Sequence, residues 1–237
     1  MIVSFLKILL IIPFTVIMSI ACIVAMIVKH DNKLFDILLG TFYKGLLVIS
    51  RVKVVAEGRE HIPASGSCIF VANHSSYYDI PSVIIGIGKG RVRMIYKKEL
   101  ERIPIFGWAM RWTNMYIPIN RGRGIEAQQT LDGAIQRIKG GDSVLLFAEG
   151  TRTTDGKLQP FKRGAFNIAV KAGVPVVPVI INGSYRAMPK GTFRIRPGTV
   201  SITVEEPIMP PLENGKSSEL ELMEMVHQKI EQHYINQ

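Results

Sequence analysis

A histidine and an aspartate five positions apart are the residues of this sequence best suited to chemistry. His74 and Asp79 lie in the segment 73–79, NHSSYYD, directly after an apolar run that ends at Ala72. A neutral imidazole can remove a proton from a hydroxyl near neutral pH, and a carboxylate on its second nitrogen would fix the tautomer and stabilise the imidazolium. A hydroxyl activated in this way attacks a thioester directly, without a serine or cysteine nucleophile. On this spacing alone, however, a structural histidine is the simpler interpretation.

A second group of polar residues follows another apolar run. Residues 147–152 read FAEGTR, and the segment 160–164, PFKRG, contributes Lys162. Gly150 lets the backbone approach an anion, Thr151 offers a hydroxyl, and Arg152 can hold a phosphate through two parallel hydrogen bonds. The pattern is typical of a phosphate-binding turn, although a solvated turn with balanced charges has the same composition.

A third segment delivers an arginine to a turn. Residues 117–123 read IPINRGR, so that an apolar run is followed by Arg121 and a glycine. An arginine from a second strand end would complete a cationic pocket. A surface arginine on a loop is the alternative, and the segment alone does not decide between them.

These segments are predicted to be loops at strand ends in an α/β domain. The predicted strands are short apolar runs, at 52–56, 67–72, 92–96, 115–119, 143–148, 174–181 and 200–205. Several are apolar at nearly every position, as in a sheet covered by helices on both faces. Helices are predicted at 125–139, 161–172 and 217–234. The expected fold class is α/β, with a mixed, largely parallel central β-sheet flanked by helices.

The amino-terminal part of the chain is predicted to associate with a membrane. Residues 1–51 form two hydrophobic helices in this interpretation, and residues 52–237 form the catalytic domain. The run 8–28 is apolar apart from two hydroxyl residues and is long enough to cross about 30 Å of hydrocarbon. The segment 34–52 is amphipathic. A single membrane span and a helical hairpin lying in one leaflet are therefore both compatible with the sequence.

Three details of the first helix carry further expectations. The apolar run is longer than the core of a usual signal peptide, which disfavours cleavage. Pro13 is expected to kink the helix, and Lys7 is expected to reach the lipid headgroups.

The composition is both basic and hydrophobic. The 237 residues carry a formal net charge of +10 and have a mean hydropathy of +0.21. Nucleic-acid binders are basic but polar overall, so an anionic membrane surface or substrate is the better match and no nucleic-acid partner is expected. Cys22 and Cys68 lie in apolar segments and no metal-binding spacing is present. The sequence therefore predicts neither a disulfide framework nor a metal ion or other cofactor.

Taken in order, these segments resemble the glycerol-phosphate acyltransferase superfamily, and specifically the bacterial 1-acyl-glycerol-3-phosphate acyltransferases, over residues 52–208. NHSSYYD is similar to the family's first block, NHxxxxD. The second, third and fourth blocks are matched by YIPINR at 116–121, FAEGTR at 147–152 and VPVVPV at 174–179, and KKEL at 97–100 is similar to the stretch before the second block. Each block alone is weakly specific, whereas five in the family's order are very specific.

The resemblance implies that His74 and Asp79 form a catalytic dyad. It also implies that the acceptor's phosphate and glycerol are held by Arg121, Glu149, Gly150, Thr151, Arg152 and Lys162. Two residues depart from the family's pattern: Ala148 replaces the usual proline, and Asn120 replaces a common aspartate. Both bear on loop shape, because neither removes a charge assigned to the reaction. The fourth block is expected to be core and a wall for an acyl chain, without a catalytic role.

The activity that the resemblance implies is acyl transfer from an acyl thioester to the sn-2 hydroxyl of lysophosphatidic acid, giving phosphatidic acid without an acyl-enzyme. The donor would be acyl-CoA or acyl carrier protein, either of which suits the basic pair Lys97-Lys98. Glycerol-3-phosphate or another lyso-lipid is the alternative acceptor.

Outside the family, one alternative is a non-enzymatic, membrane-tethered protein that binds anionic lipid or nucleic acid. A hydrolase is a further alternative, but the sequence contains no GxSxG motif to supply its serine. The resemblance implies a location at the bacterial cytoplasmic (inner) membrane, in contact with membrane lipids. Basic residues near the hydrophobic run predict that the catalytic domain lies on the cytoplasmic face.

Overall fold

The computed structural model describes residues 2–29, 32–88, 92–112, 116–119, 125–213 and 215–236, which contain a single seven-stranded sheet. The strands are β1 Val52–Glu57, β2 Ile69–Ala72, β3 Val92–Lys97, β4 Tyr116–Ile119, β5 Ser143–Phe147, β6 Val176–Asn182 and β7 Gly198–Val204. Their order across the sheet is β1-β7-β6-β2-β5-β3-β4. The β6–β7 pair is antiparallel, and the other five pairs are parallel. The predicted mixed, largely parallel sheet is therefore confirmed.

Helices pack on both faces of this sheet and give it two apolar cores. They are α1 Ile2–Lys29, α2 Asn32–Ser50, α3 Asp79–Ile87, α4 Phe106–Trp112, α5 Ile125–Lys139, α6 Gly164–Ala172, α7 Ser184–Ala187 and α8 Lys216–His233. One core joins α2 and α3 to β2, β6 and β7, and the other joins α5, α6 and α8 to the opposite face. Burial of both faces explains why the central strands are apolar at every position.

The fourth sequence block forms the middle of the sheet. Strand β6 lies between β2 and β7, and the side chains of Val176, Val177, Val179, Ile180 and Ile181 are 0% exposed. The prediction that this segment is core is confirmed. The other half of that expectation, a wall for an acyl chain, stays a prediction.

Besides the four-residue helix α7, two longer helices in residues 52–237 were not predicted from the sequence. Helix α3 begins at Asp79, inside the first block, and Pro81 occupies its first turn, where the missing amide hydrogen costs nothing. Helix α4 has seven residues and lies between two apolar strands. Both are too short to show the apolar periodicity that identifies longer helices.

The amino-terminal helices pack against each other and against the rest of the chain. Helix α1 continues through Pro13, and one stretch of it, Ile2–Ile27, is long and apolar enough to cross a membrane by length and composition. The aromatic ring of Phe14 stacks on Phe42, with ring centroids 6.0 Å apart, and covers Gly45 of α2. Two close-packed helices thus precede the first strand, as the sequence predicted.

The expected position of Lys7 is wrong. Its side chain is 6% exposed, and its ammonium group donates hydrogen bonds to the backbone carbonyls of Ser50, at 2.8 Å, and Ile195, at 3.4 Å. The ammonium therefore points into the protein and not toward lipid headgroups. A backbone carbonyl at the end of a helix is a strong acceptor, which is why the charge is stable there.

The contact between Phe14 and Gly45 leads to a test of helix packing. A methyl group added at Gly45 would lie 2.2 Å from the Phe14 ring, whereas one added at Gly40, on the same helix, meets nothing within 4 Å. We expect Gly45→Ala to lower the free energy of unfolding by about 1–3 kcal/mol. Gly40→Ala should raise it by up to about 1 kcal/mol, because alanine favours the helix. Chemical unfolding of the full chain in micelles measures both, and a stabilised Gly45→Ala would contradict the packing described.

Candidate active site

The first and third sequence blocks, NHSSYYD and FAEGTR, follow the adjacent parallel strands β2 and β5. Strand β2 pairs with β5 in a register that places Ala72 opposite Phe147. The chain leaves both strands at the same edge of the sheet, so the loop after Ala72 and the loop after Phe147 lie side by side. The amide of Ala148 extends this pairing by donating a hydrogen bond to the carbonyl of Ala72, at 3.1 Å.

The carboxylate of Asp79 organises the first loop. Its Oδ2 atom accepts hydrogen bonds from Nδ1 of His74 at 2.7 Å, from the amide of Ser75 at 2.6 Å and from the amide of Ser76 at 2.8 Å. Asp79 is 0% exposed and begins α3, where the helix dipole favours a negative charge. Because the carboxylate accepts from Nδ1–H, the Nε2 atom is left with its lone pair and can take a proton.

Both the ring and the backbone of His74 are held in place by the loop that follows β5 and by the end of that strand. Its ring stacks on Phe147, with centroids 3.9 Å apart and the planes inclined by 15°. The backbone carbonyl of His74 accepts a hydrogen bond, at 2.9 Å, from the amide of Thr153, a residue of the second loop. The ring remains 17% exposed, so it is reachable from solvent although its position is fixed.

Glu149 ties the two loops together through its carboxylate. Oε1 accepts a hydrogen bond from the amide of His74 at 2.6 Å, and Oε2 accepts one from the amide of Gln159 at 3.2 Å. The residue is 2% exposed. Burial raises the pKa of Glu149 to about 7, with the Asp79 charge adding to the effect and the two amide hydrogen bonds opposing it. The geometry favours a positioning function for this carboxylate over the predicted contact with the acceptor.

The turn after Glu149 brings Gly150 and Lys162 together, two of the residues predicted to bind the acceptor. Gly150 has a φ angle of +69°, and Lys162 lies directly over it, so an added methyl group would be 2.9 Å from its side chain. The amide of Lys162 also donates to the carbonyl of Ala148, at 2.7 Å. Thr151 is exposed beside these residues. Glycine is needed at position 150 both for this backbone conformation and for the close approach of the lysine.

Arg152 carries a guanidinium group that is held in position but has no acidic partner in the part of the chain that the structure describes. Its Cζ atom lies 3.5 Å from the centre of the Tyr77 ring, in the histidine loop. Its Nη1 atom is buried and has no hydrogen-bond partner among the residues that the structure describes. A buried donor without a partner is costly, so this group is well suited to receive an anionic ligand.

Lys190 lies beside this turn and was missed in the sequence. Its ammonium group donates to Oγ1 of Thr151 at 3.1 Å and to the carbonyl of Arg152 at 3.0 Å. The same segment holds the histidine loop, because Oγ of Ser76 donates to the carbonyl of Met188 at 2.9 Å. A turn signal was available in Pro189-Lys190-Gly191, but nothing in the sequence indicated which loop it approaches.

The predicted arginine at position 121, and Asn120 before it, lie outside the described residues. Strand β4, which precedes them, ends at Ile119. Beside β4, a polar cleft of about 390 Å³ is lined by residues of β3, β4, α4, α5 and the short 3-10 helix Lys98–Arg102, namely Tyr96, Lys98, Glu101, Arg111, Tyr116, Pro118 and Arg137. Three of these side chains are cationic. Within the described part of the chain, no group of three metal-binding side chains is present.

A model of the family described as "Acyltransferase" matches residues 53–182. The chain belongs to this acyltransferase family. The matched range contains His74, Asp79 and the whole turn from Glu149 to Lys162.

Relatives of this chain include a chloroplastic 1-acyl-sn-glycerol-3-phosphate acyltransferase of Brassica napus, 34% identical over 80% of this chain and 57% of that protein. A second is the human 1-acyl-sn-glycerol-3-phosphate acyltransferase alpha, 33% identical over 66% of this chain and 55% of that protein. The chain thus spans somewhat more than half the length of these relatives.

A crystal structure of the 1-acyl-sn-glycerophosphate acyltransferase PlsC from Thermotoga maritima is similar over nearly the full length. The TM-score is 0.81 and the identity 30%, and the match covers 98% of this chain and 94% of that chain. The likeness therefore includes the amino-terminal helices of the acyltransferase as well as its sheet.

The buried carboxyl of Glu149 predicts a pH-dependent stability. In the unfolded chain it loses its proton near its ordinary pKa of 4.5, whereas in the folded acyltransferase the pKa is about 7. The stability that Glu149 contributes is therefore fully present below pH 4.5 and is lost as the pH rises to about 7. The glutamine of a Glu149→Gln variant has no ionisable proton, and its side-chain NH2 group would face one of the two backbone N–H groups that now donate to the carboxylate. We expect it to cost about 1–3 kcal/mol at pH 5 and less at pH 8.

Chemical unfolding of both proteins at each pH measures this difference. Glu221, exposed on α8, provides the matched control, and Glu221→Gln should change the free energy of unfolding little at either pH. A Glu149→Gln penalty that grows with pH would contradict the raised pKa.

Proposed function

We propose that this chain transfers a fatty acyl group from an acyl thioester to the free hydroxyl of 1-acyl-glycerol-3-phosphate. Membership of the acyltransferase family supports the reaction class. The names of the relatives in Brassica napus, human and Thermotoga maritima support this acceptor.

The observation that carries the proposal is a His–Asp pair, with the aspartate buried and the histidine partly exposed, next to a guanidinium that has no acidic partner among the described residues. His74 and Arg152 belong to loops joined by the hydrogen bond from Thr153 to the His74 carbonyl, and Tyr77 of the histidine loop lies under the Arg152 guanidinium. A phosphate on Arg152 would therefore place the attached glycerol close to the imidazole. A hydroxyl and a phosphate on one small acceptor match this pair of groups.

The reaction follows from these positions. Nε2 of His74 removes the proton from the acceptor hydroxyl as the oxygen attacks the thioester carbonyl, and Asp79 stabilises the imidazolium that forms. The tetrahedral intermediate then expels the thiolate, which takes the proton from His74. The ester bond forms as the thioester bond breaks, and the histidine returns to its neutral state. No acyl-enzyme is involved.

The phosphate-binding residues in this proposal are Gly150, Thr151, Arg152 and Lys162. Arg121 is assigned to the same pocket from its sequence block. Glu149 acts indirectly, by holding the loop amides of His74 and Gln159. Lys190 is added to the site because its hydrogen bond to Thr151 leaves the threonine hydroxyl free to donate to a phosphate oxygen. The donor is acyl-CoA or acyl carrier protein.

We place the first helix in the membrane interface and not across the bilayer. Contacts with the catalytic domain occur from Ser4, which bonds Ile195, to Cys22, which lies near α4. At 1.5 Å per residue this docked stretch is roughly 27 Å long. A helix held along the domain for that length cannot also cross the hydrocarbon while the domain stays outside.

The surface on the other side of this helix is apolar, as membrane contact requires. Eleven large hydrophobic side chains of α1 are exposed, from Ile2 to Ile27, and α4 adds Trp108 and Trp112, which are 49% and 57% exposed. Tryptophan is enriched where protein meets the headgroup region. We assign residues 1–51 to membrane association and residues 52–237 to catalysis, on the cytoplasmic face of a bacterial inner membrane.

Acyl transfer with defined substrates tests the proposal. We expect the purified full chain to form phosphatidic acid from lysophosphatidic acid, with acyl-CoA and acyl carrier protein offered in separate reactions. His74→Ala should lower kcat at least about a hundredfold, because proton removal is lost. His227→Ala on α8, outside the site, is the matched control and should keep wild-type turnover. Product is measured by mass spectrometry.

Two outcomes would decide against the proposal at different levels. Turnover retained in a folded His74→Ala protein would reject the dyad. Acylation of glycerol-3-phosphate in preference to lysophosphatidic acid would keep the dyad but reject the acceptor.

The unpaired guanidinium predicts a change in acceptor binding. Arg152→Lys keeps a positive charge but loses the planar pair of donors, so we expect KM for lysophosphatidic acid to rise about tenfold with a smaller change in kcat. Arg186, exposed on α7, gives the control Arg186→Lys, which should leave KM unchanged. Steady-state kinetics in mixed micelles measures both. An unchanged KM in Arg152→Lys would exclude the guanidinium from the phosphate site.

A further inference from the structure

We propose that Lys7, Ser50 and Tyr78 are positioning residues, whose buried hydrogen bonds connect the first amino-terminal helix to the residue that precedes the aspartate of the dyad. The inference rests on the proposed function, because it takes Asp79 as the partner of the catalytic histidine. It goes further in connecting the membrane-associated helices to the geometry of the site.

The first connection is between α1 and the end of α2. The ammonium group of Lys7 donates to the carbonyl of Ser50, the last residue of α2, at 2.8 Å. Carbonyls in the last turn of a helix have no partner within the helix, and a cation there also interacts favourably with the helix dipole. Lys7 is 6% exposed in an otherwise apolar part of α1. A buried ammonium is costly unless paired, so the charge is present for this contact.

The second connection is between α2 and the histidine loop. The hydroxyl groups of Ser50 and Tyr78 are hydrogen-bonded, and these residues are 0% and 5% exposed. Burial raises the pKa of the Tyr78 phenol, while the Ser50 contact opposes the shift, so the hydroxyl keeps its proton at neutral pH. The same serine therefore binds Lys7 through its carbonyl and Tyr78 through its side chain.

The third connection is covalent. Tyr78 immediately precedes Asp79, and its carbonyl accepts the amide of Ser82, in the first turn of α3. The Asp79 Oδ2 atom must remain within 2.6 to 2.8 Å of three donors. A small movement of the Tyr78 backbone would lengthen some of these bonds and release the imidazole. Docking of α1 thereby restrains the dyad through Ser50 and Tyr78.

The hydrogen bonds among Lys7, Ser50 and Tyr78 also explain why polar groups lie where α1 and α2 pack against the histidine loop. Ile8 and Ile11 of α1 pack on the same apolar core as Tyr78, and that core already holds the helix in place. Three polar side chains in such a contact add directional constraint, because each hydrogen bond fixes an angle that apolar packing leaves free.

Hydrogen–deuterium exchange on the full chain in micelles tests the connection without depending on activity. We expect exchange of the Ser75 and Ser76 amides, which donate to Asp79, to be roughly tenfold faster in Lys7→Met and in Ser50→Ala. Ser50→Ala removes the hydroxyl link and leaves the Lys7 contact to the carbonyl intact. Lys44→Met, at an exposed lysine of α2, is the matched control and should exchange at the wild-type rate. Wild-type exchange in both test variants would overturn the proposal.

Kinetics provides the second readout. Lys7→Met and Tyr78→Phe should each lower kcat about tenfold with KM for lysophosphatidic acid within about twofold, since the acceptor site is untouched. The double variant should lose no more than the worse single variant, because both act through one chain. Near-ultraviolet circular dichroism at the assay temperature gives the folded fraction used to normalise kcat.

Multiplicative losses in the double variant would show two independent structural effects and overturn the proposal. Absence of acyl transfer in the wild-type protein would instead reject the proposed function. The exchange rates would then still decide whether α1 restrains the aspartate.

Discussion

One carboxylate oxygen, Oδ2 of Asp79, sets the geometry on which the site depends. Three donors converge on it, from the imidazole of His74 and the amides of Ser75 and Ser76. The hydrogen bonds from the two backbone amides fold the intervening loop around the carboxylate, and the hydrogen bond from His74 orients the imidazole ring. The spacing of five residues between histidine and aspartate therefore has a mechanical reason. The chain must turn tightly enough for its own amides and its histidine to reach one atom that begins a helix.

A loop of this kind needs support from outside, and neighbouring elements supply it. Glu149 and Thr153 hold the His74 backbone from the loop after β5, and Ser76 is bonded to Met188. Alanine in place of the family's usual proline at position 148 adds to this support. Its amide donates to the carbonyl of Ala72, a bond that proline could not make, so the pairing of β2 and β5 extends to the start of both loops.

Much of the fold was predictable because burial on both faces leaves a simple pattern in the sequence. All seven strands were predicted within two residues of their observed ends, since each is a short apolar run between polar loops. Helix α5 was predicted with its observed ends, and α6 and α8 within three residues of theirs, because their apolar periodicity spans two or more turns. Helix α3 was missed since its first residue is the dyad aspartate, and a block of polar and aromatic residues reads as loop up to that point.

The sequence allowed a prediction of which residues belong to the candidate site, but not of which hydrogen bonds they make. Spacing and block order predicted His74, Asp79 and Arg152 as site residues. The contacts of Glu149 could not be predicted in this way, because one of them is with a backbone amide ten residues further along the chain, at Gln159. Lys190 lies 38 residues beyond Arg152 in the sequence, and its approach is set by how β6 and β7 are paired. Hydrogen bonds between distant loops are fixed by topology, which local patterns do not encode.

The buried lysine of the first helix shows why one sequence-based expectation had to fail. Lys7, Ile11, Met18, Cys22 and Ala25 are spaced as one face of a helix, and four of these five are buried in the structure. In a water-soluble helix, a polar opposite face would have revealed which side packs inward. Here the opposite face is apolar as well, because it meets lipid in the proposed orientation, so the helix has no polar side against which to assign the lysine. The same two-sided apolar character that indicates a membrane thus conceals the face that docks on the catalytic domain.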